Sequence, residues 1–117
     1  QVPRISYEKF VDQAPSESSK NIRERVIKAF ALQQSRFKNS KTNYNSEMNT
    51  DELKEFCALD KTGHGILQQA MEKFHLSGRA YSRTLKVART IADLQNSPGI
   101  TSEHLAEALS YRLADTI

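Results

Sequence analysis

A chain of 117 residues, 38% hydrophobic and 26% charged, has the size and composition of one small globular domain with a single modest core. That composition excludes a disordered polar chain, and no run approaches the roughly 20 apolar residues that a membrane-spanning helix needs. A net charge of +3 permits an anionic partner without demanding one, and a single cysteine, Cys57, excludes both an internal disulfide and a thiolate metal cluster.

The chain opens on Gln1 rather than Met and has no signal-peptide pattern, so a piece of a longer cytoplasmic protein is expected. Val2, Ile5, Tyr7 and Phe10 alternate between prolines at 3 and 15, which predicts an extended remnant or linker over residues 1–17. Residues 18–117 then read as one helical domain.

Ser18 to Arg36 predicts a long helix, with Ile22, Val26, Ala29, Phe30, Gln33 and Phe37 on its apolar face. Its other sides carry Arg23, Arg25, Lys28 and Arg36. Lys38 to Asn49 is polar and reads as an exposed loop. Asn49-x-x-Glu52 has the form of a capping box and opens a short helix to about Cys57, whose thiol is expected to be buried and structural. A helix over Asp60–Phe74 should bury Ile66, Leu67, Ala70, Met71 and Phe74. Gly63 and Gly65 each cost it up to about 1 kcal/mol relative to alanine, which predicts weak first turns.

Ser77 is a suitable N-cap for a helix to about Gln95, broken by Asn96-Ser-Pro-Gly. Thr101 caps a last helix, with Glu103 in its first turn and Leu105, Ala108, Leu109 and Leu113 as its buried stripe. No strand pattern follows residue 15 and no repeat is visible. The fold class is therefore all-α, a small bundle of about five helices preceded by a short extended segment.

The 77–95 helix carries the main chemical signal. At about 100° per residue, Ala80, Tyr81, Thr84, Leu85, Val87, Ala88, Ile91, Ala92 and Leu94 share one broad arc. Arg79, Arg83 and Lys86 align on the opposite side, with Thr90 and Asp93 further along it; Arg89 lies off the stripe and reads as structural or as a subunit contact. Arginine suits phosphate because its planar fork donates two parallel hydrogen bonds and keeps its charge. Arg79 also sits where free N–H groups and the helix dipole favour an anion. The same stripe also fits a plain solvated helix.

Catalytic constellations are missing. There is no G-x-x-x-x-G-K-[ST] phosphate loop, no G-x-G-x-x-G and no H-E-x-x-H. His64, His75 and His104 fall on different elements and lack metal-ligand spacing, so no metal site is expected and each reads as a helix-end or surface histidine. Asp51/Glu52 and Glu103/Glu107 sit where carboxylates serve helix dipoles and solubility.

Leu76-Ser-x-Arg-Ala-Tyr-x-Arg-x-Leu-Lys-Val-Ala-Arg-Thr-Ile-Ala-Asp-Leu94, followed by Ile100-x-x-Glu-His-Leu-Ala-Glu-Ala-Leu-x-Tyr-Arg112, resembles the C-terminal domain of magnesium-chelatase-like AAA+ ATPases, in the competence-protein ComM/YifB branch. Val2-Pro-Arg, Ser18-Ser-x-x-Ile-Arg-x-Arg-Val26, Gln33-x-x-Arg36-Phe37 and Phe56-Cys-x-Leu-Asp60 agree with it. The resemblance implies a helical lid over a nucleotide held by an upstream AAA+ core. That core would supply the phosphate loop and the Mg²⁺-binding acidic motif, so this part is not expected to hydrolyse or bind ATP alone. By the Ser-x-Arg match, Arg79 would be sensor 2, touching the γ-phosphate, and Arg83 a second phosphate ligand. The implied partners are the core of the same chain, neighbouring subunits of a ring-shaped homo-oligomer and, for the full protein, DNA, with no membrane. Two other functions compete: the lid of a true chelatase motor that inserts Mg²⁺ into a porphyrin, and a standalone helical DNA-binding module. Gly78 departs from the alanine common at its position, and Gly63 and Gly65 interrupt a helix that is alanine- and glutamate-rich in relatives.

Overall fold

Local capping chemistry sets where each helix begins. A computed structural model describes residues 18–115, and among these there are five α-helices and one short 3-10 turn. Helix α1 (Ser19–Arg36) starts where Ser18 Oγ accepts from the Asn21 N–H. After the 3-10 turn Asn45–Glu47, helix α2 (Thr50–Phe56) opens with the expected capping box: Asn49 Oδ1 accepts from the Glu52 N–H, and Glu52 Oε1 accepts from the Asn49 N–H. Thr42 and Ser40 also donate to that carboxylate, and these bonds, Thr42 first, hold Glu52 below the usual glutamate range.

Helix α3 (Lys61–Phe74) is capped by Asp60 and ends at His75, a left-handed residue with φ 52°. The His75 and Leu76 N–H groups both donate to the Met71 carbonyl and close the helix end. Helix α4 (Gly78–Leu94) begins on Ser77, whose hydroxyl accepts from the Ala80 N–H. Helix α5 (Ser102–Asp115) starts with a histidine version of the capping box. His104 Nδ1 accepts from the Thr101 N–H at 2.9 Å, so the ring proton sits on Nε2 and is donated to Gln95 Oε1, also at 2.9 Å. His104 is at a helix end as expected, but it is buried.

Helix α4 is the hub. It packs against α1, α2, α5 and the 3-10 turn, while α3 packs on α5. Small residues allow this closeness: Ala88, Ala92 and Ala108 are almost fully enclosed, with Leu67, Leu85, Leu105 and Leu109 filling the space around them. Cys57 is buried in the same core, and burial pushes its thiol up to about 11, as suits a structural residue.

Four sequence expectations change here. Ile22, Val26 and Phe30 were expected in the core but are 45%, 52% and 40% exposed, and among the described residues of α1 only Ala29 is buried. Phe74, Val87 and Leu94 also face solvent. The polar stretch 38–49 is not simply an exposed loop, since Asn45 and Met48 are buried within it. Gly63 is not a mere weakness in α3. A Cβ there would lie 3.1 Å from both Leu105 Cδ1 and Asp60 Oδ1, so the missing side chain lets α3 approach α5. The extended segment 1–17 and the side chain of Leu113 lie outside the described residues.

The two glycines of α3 should therefore respond in opposite directions. Around Gly65 nothing lies within 4 Å of an added Cβ, so Gly65→Ala is expected to stabilise by up to about 1 kcal/mol. Gly63→Ala is expected to lower the melting temperature, because core-bound Leu105 has no room to retreat. Thermal unfolding followed by circular dichroism reads both.

Candidate phosphate site and buried ion cluster

The basic stripe divides into two environments along the length of α4. Near its N-terminus, Arg79, Arg83 and Lys86 border an open cavity of about 620 Å³. Ser46 from the 3-10 turn and Ser82 add hydroxyls, and Ala108 and Tyr111 of α5 add an apolar and aromatic wall. Arg79 and Arg83 are exposed, and among the described residues no carboxylate pairs with either arginine or with Lys86. Among the described residues, nothing therefore neutralises the charge of the cations that line the cavity. Arg79 lies in the first turn of α4, where backbone N–H groups lack intrahelical partners.

Seven residues beyond Lys86, the same side of the helix is closed. Asp93, read from the sequence as a continuation of the polar side, has no exposed side-chain surface. Arg36 of α1 binds it through two hydrogen bonds, Nη1 to Oδ2 at 2.8 Å and Nη2 to Oδ1 at 2.7 Å. Arg89 Nη2 lies 3.1 Å from the same Oδ1. Burial alone would raise the Asp93 carboxyl, but the bonds from Arg36 and Asn45 and the two guanidinium charges outweigh it and hold it below the usual range.

Asn45 joins the cluster to the 3-10 turn. Its side-chain amide donates to Asp93 Oδ2 at 2.8 Å and to Thr90 Oγ1 at 3.1 Å, and its Oδ1 accepts from Arg36 Nη1. Its backbone N–H donates to Gln33 Oε1. Fixing Asn45 also fixes its neighbour Ser46 at the cavity rim. Arg89 is structural: it donates to the Ser97, Pro98 and Phe56 carbonyls and so closes the turn between α4 and α5. Its Nε has no hydrogen-bond partner.

The structure brings Arg79 and Arg83 together on one cavity, with Lys86, and gives no shared site to the histidines. His64 is exposed on α3, His75 is exposed at its C-cap, and His104 is internal to the cap of α5. Among the described residues, no three His, Cys, Asp or Glu side chains are placed to hold a metal ion. Sequence reasoning missed the roles of Arg36, Asn45 and Asp93. The available signal was the reversal of charge along one stripe, from Arg79, Arg83 and Lys86 to Asp93.

The family model for the C-terminal part of magnesium chelatase subunit ChlI matches residues 16–112, nearly all of the described domain. The chain belongs to that family. This ChlI-type C-terminal domain is 43% identical over 96 residues to the competence protein ComM of Haemophilus influenzae, covering 82% of the chain and 18% of that protein. It is 39% identical over 103 residues to the uncharacterized protein YifB of Escherichia coli, covering 88% of the chain and 20% of that protein. The ChlI-type domain thus spans about a fifth of the curated relatives it matches. Gly78, the departure inside the motif that carries the resemblance, does not disturb the start of α4, where the Ser77 cap forms.

Proposed function

We propose that this domain is the nucleotide-sensing lid of a magnesium-chelatase-like AAA+ ATPase, working in ATP-driven DNA processing of the competence kind. The observation that carries this reading is the convergence of Arg79, Arg83 and Lys86 on one open cavity at the N-terminal end of α4. The donor set fits a polyphosphate: two forked guanidiniums and an ammonium, spaced over about 10 Å of helix. Mg²⁺ finds no such fit among these residues and belongs with the upstream core.

Bound ATP supplies a transferable γ-phosphoryl group. Arg79 meets the charge spread over its oxygens with a permanent cation held by a capped helix. Arg83, one turn further, holds an adjacent phosphate oxygen. Because both come from a rigid helix, their engagement couples the position of the whole lid to whether the terminal phosphate is present. The core of the same chain and neighbouring subunits of a ring-shaped oligomer complete the site. The 43% identity to a protein named for competence supports DNA as the substrate over the porphyrin that the family name suggests.

Hydrolysis of ATP by the full-length protein tests the reading. Arg79→Ala should lower turnover while the circular dichroism of the protein stays unchanged. Wild-type turnover in that variant would overturn the role of Arg79.

A further inference from the structure

The cationic cavity has a wall that phosphates alone do not explain. Tyr111 of α5 lines it opposite the basic face of α4, next to Ala108, and the tyrosine is 55% exposed. Its hydroxyl donates to Glu107 Oε2 at 3.2 Å, one turn back on the same helix, which tethers the tip of the ring. Glu107 also raises the phenol above its ordinary range, so the group stays neutral beside the cations. The site thus joins an anion-binding face to an uncovered aromatic ring in one space of about 620 Å³, within the range of small-molecule pockets.

A ligand that uses both walls carries a planar ring and more than one phosphate. We propose that Tyr111 is a base-stacking residue: a purine or pyrimidine of a nucleoside di- or triphosphate lies against its ring while Arg83 and Lys86 take the phosphates and Arg79 the terminal one of a triphosphate. The inference rests on the lid reading above and goes beyond it, from sensing a phosphate to reading the nucleotide as a whole. Stacking on an aromatic side chain tolerates any base, because every base offers a π-face. The pocket accordingly selects a nucleotide over inorganic polyphosphate without choosing strongly among bases.

Equilibrium titration of the full-length protein with ADP and with inorganic tripolyphosphate separates these contributions. Tyr111→Ala should weaken ADP on the order of tenfold, the usual effect of deleting one stacking partner, and leave tripolyphosphate within about twofold. Tyr111→Phe should bind both ligands as the wild type does, because the ring is retained and only the tether to Glu107 is lost. Unchanged ADP affinity in Tyr111→Ala overturns the proposal. So does an equal loss for both ligands, which would show that Tyr111 shapes the cavity and does not touch the base. If Tyr111→Ala is neutral while Arg79→Ala still lowers hydrolysis, stacking is wrong and the lid reading stands. If both variants are neutral, both readings fall.

Discussion

Asp93→Ala is expected to remove about 3–5 kcal/mol of folding stability, the usual cost of deleting one partner of a buried ion cluster. The substitution leaves two guanidiniums without their carboxylate in a region where Arg36 and Arg89 side chains are only 12% and 5% exposed. It also removes one of the two acceptors of the Asn45 amide, the one at 2.8 Å, and leaves only Thr90 Oγ1. A domain of this size is stable by about 5–15 kcal/mol in total, so the loss is a large share and should be plain in urea denaturation. Asp93→Asn keeps the shape and removes only the charge, so it should fall between the variant and the wild type. The pH dependence follows from the depressed carboxyl of Asp93. Its folded value lies below its unfolded value of about 4, so its contribution is complete above that pH and is lost as acid titrates the folded group below it. Denaturation midpoints measured from pH 6 down to pH 3 should drop steeply at the acid end in the wild type and less in Asp93→Asn.

Arg79→Ala in the full-length protein is expected to lower kcat on the order of 10²–10³-fold, the effect typical of removing one preorganised donor to developing negative charge. KM should rise too, because the same contact holds the γ-phosphate of bound ATP, but by less than kcat falls, since the contact strengthens in the transition state. Arg79→Lys should recover only part of the rate: it restores the charge but not the two-pronged donor geometry. The exposed position of Arg79 keeps the substitution from unfolding the domain, so a lost rate reports on chemistry. Loss of the Asp93 cluster would act differently. It would free the 3-10 turn and Ser46 beside the cavity, and would lower stability together with activity.

Helix positions and caps were readable from the sequence because their causes are local. Asn49 and Ser77, read as caps, each lie within three residues of the N–H they satisfy, as do Ser18 and Asp60 at the expected starts of α1 and α3. The outer half of α1 was misread because periodicity reveals an apolar face without revealing whether anything covers it. Ile22, Val26 and Phe30 have the spacing of core residues and face solvent in this domain. The Asp93 cluster was illegible for the opposite reason. Arg36 and Asp93 are 57 positions apart and Asn45 and Asp93 are 48 apart, and no short-range pattern announces a contact across such distances. Gly63 was read through its helix propensity alone, whereas its purpose is the approach of Leu105 from another helix. Arg79 and Arg83 were singled out by a local rule, cations one turn apart at a helix start, and by family resemblance, and the structure places both on one cavity.

The central claim is that Arg79 touches the terminal phosphate of a nucleotide held by the upstream core. The most direct measurement is the affinity of the full-length protein for a non-hydrolysable ATP analogue relative to ADP, in the wild type and in Arg79→Ala. The account predicts that the preference for the triphosphate falls in the variant while ADP binding is retained. An unchanged preference would contradict it.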